Sequence, residues 1–136
     1  MTKVLVFGTY DIFHPGHEFF LKKAKSYGDK LIVVIARDST VNKLKGEKPK
    51  NSEKKRHSKI KLLSYVDKVY LGYKRDKYKI IEKIKPDIIC LGYDQSSFNK
   101  NLKKILKERG LSPKIIKIKE SYKPHKYKSS ILRALL

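Results

Sequence analysis

The sequence predicts an α/β fold: a doubly wound, five-stranded parallel sheet (Rossmann-like, order 3-2-1-4-5) with helices on both faces. Short apolar, β-branched segments alternate along the chain with segments of helical periodicity, and this alternation is typical of a parallel sheet. The length of 136 residues favours one domain over residues 1–136. The strand order is inferred from the fold class and not from particular residues.

The predicted strands are continuous apolar segments bounded by glycine, proline or polar residues. The first of them, "KVLVFG", ends in Gly8, and the second, "KLIVVIA", follows Gly28 closely. Their apolar character indicates that they are buried in the sheet. The five predicted strands span residues 3–8, 30–36, 67–72, 87–92 and 113–119.

The predicted helices follow the strands. The first has apolar side chains at helical spacing and a glycine stop, Ser52 is a favourable N-cap for the second, and Pro86 ends the third. Residues 37–50 are polar and rich in lysine, so they are predicted to form a long loop. The five predicted helices span residues 16–28, 52–66, 76–85, 98–110 and 128–136.

The composition limits the class of protein. Hydrophobic residues make up 40% of the chain, which excludes a disordered chain, and no segment reaches the ~18 apolar residues of a membrane span. The single cysteine, Cys90, lies in an apolar segment and excludes a disulfide framework. The N-terminus runs directly into a strand and does not resemble a signal peptide. We therefore expect a cytoplasmic protein that does not bind membranes.

The formal net charge is +21. Most of the cations are lysines spread through nearly every predicted helix and loop, and no recognition motif accompanies them. We therefore predict no specific nucleic-acid binding. The positive field would nevertheless attract an anionic substrate such as a phosphate compound.

Ligands of a doubly wound sheet bind beyond the carboxyl ends of its strands, where the strand order reverses. In the predicted order this point lies between the first and fourth strands. The loops that follow them are "GTYDIFHPGH" (8–17), which we call the histidine turn, and "GYDQSSF" (92–98). These loops are also the richest in glycine and polar residues, so we expect the functional site here.

The histidine turn has the features of a phosphate site. The P-loop and G-x-G-x-x-G patterns are both absent from the sequence. His14 and His17 are three residues apart, on one side of the first turn of the predicted helix. Pro15 suits the first helical position, Gly16 would let a phosphate approach the backbone, and a helix N-terminus offers free N–H groups. Each imidazole can donate a hydrogen bond to a phosphoryl oxygen.

Other interpretations of these residues remain open. The two histidines could be zinc ligands, although no third ligand is evident, or they could cap the turn. Ser129 and Ser130 could be helix caps. Asp11 and Asp94 could be turn-forming residues, and Lys43 and Lys45 could be ordinary solvated surface.

The histidine turn closely resembles the H-x-G-H signature of the nucleotidyltransferase superfamily. "KSSILR" (128–133) is similar to the second signature of that superfamily, a Ser/Thr pair that opens the final helix. "LGYD" (91–94) lies where relatives carry a glycine and an aspartate after the fourth strand. The resemblance covers essentially the whole chain.

The resemblance implies nucleotidyl transfer, in which a phosphate monoester attacks the α-phosphorus of a nucleoside triphosphate and pyrophosphate leaves. The implied catalytic residues are His14, His17, Lys43 and Lys45. The implied nucleotide-binding residues are Thr9, Tyr10, His14, Pro15, Gly16, His17, Arg56, Gly92, Asp94, Ser129, Ser130 and Arg133. The implied acceptor-binding residues are Asp11, Tyr122, Tyr127 and Phe98. A divalent cation, expected to be Mg²⁺, would be held mainly by substrate oxygens, with Asp11 as an indirect ligand.

Within the superfamily, the sequence is most similar to archaeal FAD synthetases, which transfer AMP from ATP to FMN. "ARDSTVNKLKGEKP" (36–49) and "KPDIICLGYDQ" (85–95) carry this similarity. Three stretches depart from the glycerol-3-phosphate cytidylyltransferase pattern: "SYVD" with Ser64, "YDQ" after the fourth strand, and residues 121–130. We therefore expect ATP and FMN, with CTP and a small polyol phosphate as the alternative. Relatives are often dimers, so a homodimer is expected as well.

Overall fold

The computed structural model describes residues 1–76, 78–92 and 101–118. Its five strands form one all-parallel sheet of order β3-β2-β1-β4-β5, which confirms the predicted fold and strand order. The strands are β1 (Lys3–Gly8), β2 (Lys30–Ile35), β3 (Lys68–Leu71), β4 (Ile88–Gly92) and β5 (Lys114–Ile118). The prediction of a single domain over 1–136 stays a prediction.

The described helices are shorter than the predicted ones. They are α1 (Pro15–Lys25), α2 (Asp38–Lys45), α3 (Glu53–Lys61), α4 (Lys79–Ile84) and α5 (Leu102–Glu108). Ser52 caps α3 as predicted, because its side chain accepts a hydrogen bond from the Lys55 N–H. The predicted helix over 128–136 lies outside the described residues. None of the helices described has the length and apolar character needed to cross a bilayer.

The prediction of a loop over residues 37–50 is wrong for its first half, which forms α2. Val41 is buried on this helix and Gly46 ends it in the left-handed conformation, with φ 77° and its N–H bonded to the Asn42 carbonyl. Glycine is the residue best suited to such a helix end. The high lysine content of residues 37–50 led to the loop prediction, although Val41 and Gly46 are sequence signals of a helix and of its end.

The core has two layers, one on each face of the sheet. Alternate residues of a strand face opposite sides, so Val4 belongs to one layer and Leu5 to the other. The first layer receives buried residues from α1 and α3, and the second receives them from α4 and α5. Cys90 is a buried free thiol in the first layer, as its apolar surroundings in the sequence predict.

The ladder between neighbouring strands is shortest at the point where the strand order reverses. Strand β1 pairs with β2 along six residues, from Lys3↔Lys30 to Gly8↔Ile35. Its register with β4 comprises only Val4↔Ile88 and Leu5↔Ile89. The β1–β4 ladder therefore ends before the carboxyl ends of the two strands, where ligands of a doubly wound sheet bind. The histidine turn follows the end of β1, and Gly92 ends β4.

Candidate active site

The third residue of the histidine turn, Tyr10, has an uncommon backbone conformation. Tyr10 has φ 53°, a left-handed value that costs a non-glycine residue about 1–2 kcal/mol. Its ring is 6% exposed and meets the His17 ring edge-on, with centroids 5.2 Å apart. A Cβ at Gly8 would lie 2.4 Å from the Tyr10 ring, so glycine is required there. The Tyr10 ring thus packs against one side of the His17 ring.

His14 is the N-cap of α1 and has extended backbone angles. Its ring Nδ1 accepts a hydrogen bond of 3.1 Å from the Gly16 N–H, while Pro15 occupies the first helical position. An imidazole whose Nδ1 accepts carries its proton on Nε2 when neutral. His14 therefore caps the helix with one nitrogen and has an Nε2–H to donate from the other.

The two imidazoles stack on each other. Their centroids are 3.9 Å apart with 25° between the planes, and Phe13 stacks behind His17 at 5.7 Å. Burial, followed by the charge of His14, lowers the pKa of His17 to about 4, although the Ile12 carbonyl opposes the shift. Burial also lowers the pKa of His14. Both rings are therefore neutral at pH 7, where they act as hydrogen-bonding groups and not as fixed cations.

The expectation that the helix N-terminus offers free N–H groups is wrong for α1. The Gly16 N–H is bonded to the His14 ring, and the N–H groups of His17 and Glu18 are bonded to the His14 carbonyl at 2.9 and 3.2 Å. The role expected of Gly16 also changes. A Cβ there would lie 2.8 Å from Cε1 of His14, so glycine makes room for the histidine cap.

The role predicted for Arg56 as a nucleotide-binding residue is not supported, because its side chain is completely buried. Its Nη1 donates to the carbonyls of Thr9 and Ala36 at 2.9 and 2.8 Å. Its Nε donates to the Asn51 carbonyl and its Nη2 to the Asp38 carboxylate at 2.7 Å. Arg56 thus connects the carboxyl ends of β1 and β2 from inside the protein.

Asp11 also has a role that the sequence does not reveal. Its carboxylate accepts hydrogen bonds of 2.8 Å from the N–H groups of both Lys50 and Asn51, and its carbonyl accepts one from the Asn51 amide. These contacts fasten the segment before α3 to the histidine turn. The predicted roles of Asp11 as an acceptor-binding residue and an indirect metal ligand are therefore not supported, because its carboxylate is occupied by the backbone.

The first residues of α2 and α3 cap each other, which the sequence analysis missed. The Asp38 N–H donates to the Glu53 carboxylate at 3.0 Å, and the Glu53 N–H donates to the Asp38 carboxylate at 3.3 Å. Arg37 joins this network through Glu53 and the Gly72 carbonyl. The hydrogen bond from the Asp38 backbone lowers the pKa of Glu53, and Arg37 adds to the effect. The sequence signal for this pairing is an acidic residue at the start of each helix, Asp38 in α2 and Glu53 in α3.

The remaining predicted residues fall into two groups. Lys43 and Lys45 lie exposed in the last turn of α2, while Gly92 ends β4 and is buried. Several predicted residues lie outside the described part of the chain: Asp94, Phe98, Tyr122, Tyr127, Ser129, Ser130 and Arg133. Among the described residues, no three His, Cys, Asp or Glu side chains form a group that could hold a metal ion.

Solved structures share this fold. A crystal structure described as the lipopolysaccharide core biosynthesis protein of Thermoplasma volcanium is 40% identical, with a TM-score of 0.85 over 90% of this chain and 98% of that chain. A pantoate–β-alanine ligase from Francisella tularensis, complexed with β,γ-ATP and β-alanine, has a TM-score of 0.69 over 99% of this chain and 65% of that chain. The latter is 19% identical and supports the fold alone.

Curated relatives named FAD synthase match most of the chain. The protein from Methanothermus fervidus is 53% identical over 116 residues, which are 83% of this chain and 79% of the relative. The protein from Aciduliprofundum boonei is 44% identical over 88% of this chain and 80% of its own. The family described as "Cytidylyltransferase-like" matches residues 5–135. The chain therefore belongs to the cytidylyltransferase-like family.

Proposed function

We propose that this protein is an FMN adenylyltransferase, which converts ATP and FMN to FAD and pyrophosphate. The observation that carries the proposal is the stacked pair His14 and His17 beyond the carboxyl end of β1, where the strand order reverses. The 53% identity to a FAD synthase supports the choice of ATP and FMN over CTP and a polyol phosphate.

In the proposed reaction, an oxygen of the FMN phosphate attacks the α-phosphorus of ATP in line with the leaving group. The new P–O bond forms while the bond from the α-phosphorus to the bridging oxygen breaks, and pyrophosphate departs with that electron pair. Catalysis then consists of positioning and stabilisation of charge. The Nε2–H of His14 donates to an oxygen of the α-phosphate. The adjacent His17 ring stabilises the charge that develops on the same phosphate in the transition state.

Other residues keep their proposed roles. The peptide groups of Thr9 and Tyr10 hold the nucleotide, and Lys43 and Lys45 neutralise the β- and γ-phosphates. Outside the described residues, the proposed contacts to the nucleotide are those of Asp94, Ser129, Ser130 and Arg133. Tyr122, Tyr127 and Phe98 are proposed to contact the flat isoalloxazine ring of FMN.

A divalent cation, which we propose to be Mg²⁺, would neutralise charge on the triphosphate when bound. The described residues contain no ligand set for it, and the Asp11 carboxylate is occupied by two backbone N–H groups. We also propose that the reaction takes place in the cytoplasm, and the homodimer and the absence of specific nucleic-acid binding stay predictions.

A matrix of substrates tests the proposal. ATP and CTP are each combined with FMN and with glycerol 3-phosphate, and pyrophosphate release and FAD fluorescence are followed. We expect FAD and pyrophosphate from ATP with FMN, and neither product from CTP. Pyrophosphate release only from CTP with glycerol 3-phosphate would contradict the proposal.

A further inference from the structure

We propose that Arg56 is a positioning residue for the transfer reaction, one that fixes the orientation of two peptide groups at the carboxyl ends of β1 and β2. This inference rests on the proposed function. One guanidinium nitrogen, Nη1, donates to both the Thr9 and the Ala36 carbonyls. The arginine itself is 1% exposed, so it acts from beneath the site and does not touch solvent.

The planar trans peptide explains how a buried group can control the surface above it. The carbonyl of one residue and the N–H of the next point in opposite directions. Because the Thr9 carbonyl points toward Arg56, the Tyr10 N–H points away from it. The Ala36 carbonyl has the same relation to the Arg37 N–H. Arg56 thus turns the N–H groups of Tyr10 and Arg37 away from its own positive charge, and we infer that these two dipoles face the anionic substrate.

The hydrogen bond from Arg56 to the Thr9 carbonyl also supports the histidine pair. Tyr10 has the left-handed φ of 53°, and surrounding contacts must hold a residue in that conformation. Arg56 holds the peptide before Tyr10, and Gly8 and His17 enclose its ring. A shift of the Thr9–Tyr10 peptide would therefore move the ring against which His17 rests.

Lysine cannot replace Arg56 in this role. The guanidinium has five N–H donors that lie in one plane. Its three nitrogens donate to four acceptors, which are three carbonyls and the Asp38 carboxylate. An ammonium group is a point charge with three donors and cannot reproduce this planar arrangement. Asp38 balances the buried charge, and the Glu53 N–H holds Asp38 in turn.

Kinetics of the Arg56→Lys variant provide the first test. Arg109→Lys is the matched control, because Arg109 is partly exposed and bonds to the carboxylates of Asp76 and Glu82. Measured well below each unfolding midpoint, kcat/KM for ATP of Arg56→Lys should fall by about 10- to 100-fold, because contacts to bound ATP are lost. The control should keep its kcat/KM. Unchanged kcat/KM in a folded Arg56→Lys variant, or an equal loss in the control, would overturn the proposal.

Amide resonances provide a second readout that needs no turnover. Titration of ¹⁵N-labelled protein with ATP, in the presence of a chelator, should shift the amides of Tyr10 and Arg37 in the wild type and leave them nearly unmoved in Arg56→Lys. This result can be obtained even if no FAD is formed, so failure of the proposed function is distinguishable. Equal shifts in both proteins would overturn the role of Arg56.

The Asp38→Asn variant covers the case in which Arg56→Lys does not fold. It removes the charge partner and leaves the guanidinium and its three carbonyl bonds in place. The unfolding temperature should drop while the ATP-dependent shifts of Tyr10 and Arg37 persist. Loss of those shifts in a folded Asp38→Asn protein would overturn the proposal, because the carbonyl bonds would then not set the peptide orientation.

Discussion

Two arginines in this protein have nearly opposite surroundings. The Arg56 side chain is 0% exposed and bonds mainly to carbonyls, whereas the Arg109 side chain is 28% exposed and bonds to two carboxylates. Arg109 lies over the Tyr78 ring and, by hydrogen bonding, lowers the pKa of Asp76. Exposed ion pairs contribute little to stability. Side chains around the histidine turn fix backbone geometry, while those around Arg109 pair charges near water, so the two regions should respond differently to substitution.

The largest effect is expected from His14→Asn. Asparagine is among the best N-caps, so its side chain can still accept from the start of α1, but it lacks the Nε2–H donor. We expect kcat to fall by about 10²–10³, the usual cost of a lost transition-state donor. The free energy of unfolding, measured in denaturant, should change by less than about 1 kcal/mol.

His14→Ala is the companion variant, because it removes the cap as well as the donor. Its kcat should fall by a similar factor, and its unfolding free energy should also drop by about 1 kcal/mol. If His14→Asn retained nearly normal kcat, the histidine turn would be a structural cap like any other, and the contrast with the Arg109 region would disappear.

The pH dependence of stability should show the buried state of His17. Its pKa is about 4 in the folded protein and near 6.5 when unfolded. As the pH falls from 6.5 toward 5, the His17 imidazole becomes protonated in the unfolded chain but stays neutral in the folded protein. The free energy of unfolding should therefore decrease by about 1 kcal/mol per pH unit over this range relative to His17→Asn. The free energy of unfolding of both proteins is measured in denaturant at each pH. If it changed with pH by the same amount in both, the pKa of His17 in the folded protein would equal its value in the unfolded chain.

Two glycine substitutions test whether the tight contact at the cap matters. Gly16→Ala places a Cβ 2.8 Å from the His14 ring, whereas Gly72→Ala places one in ordinary contact, 3.5 Å from Val34. We expect kcat of Gly16→Ala to fall about tenfold because the ring must move. Gly72→Ala should stay within about twofold. Equal activity of the two variants would mean that the His14 ring is not held in this position during catalysis.

The smallest effect is expected from Arg109→Lys. Its contacts with Asp76 and Glu82 are partly exposed, so the unfolding free energy should change by less than about 1 kcal/mol. A larger loss in thermal or denaturant unfolding would show that the Arg109 region is as tightly constrained as the histidine turn.

Sequence reasoning located the strands and the histidine pair well, because both depend on local patterns. Apolar segments determine which residues enter the sheet, and the spacing of His14 and His17 places them on one turn. It failed where a role depends on burial. A sequence shows that Arg56 is charged, but not that four acceptors from three segments of the chain surround it.

Asp11 and Gly16 illustrate the same limit. The bonds of Asp11 to residues 50 and 51 join segments about forty positions apart in the chain, and no local pattern predicts such a pairing. The sequence suggests that the missing Cβ of Gly16 makes room for a phosphate. The structure assigns the space to the His14 ring, because the ring turns back onto its own helix.

The protonation state of the His14 ring tests the central claim most directly. Nitrogen NMR of ¹⁵N-histidine-labelled protein at neutral pH, with and without ATP, distinguishes the two ring nitrogens. We predict an unprotonated Nδ1 bonded to Gly16, and a protonated Nε2 whose resonance moves when ATP is added. A proton on Nδ1, or an Nε2 resonance that does not respond to ATP, would contradict the account.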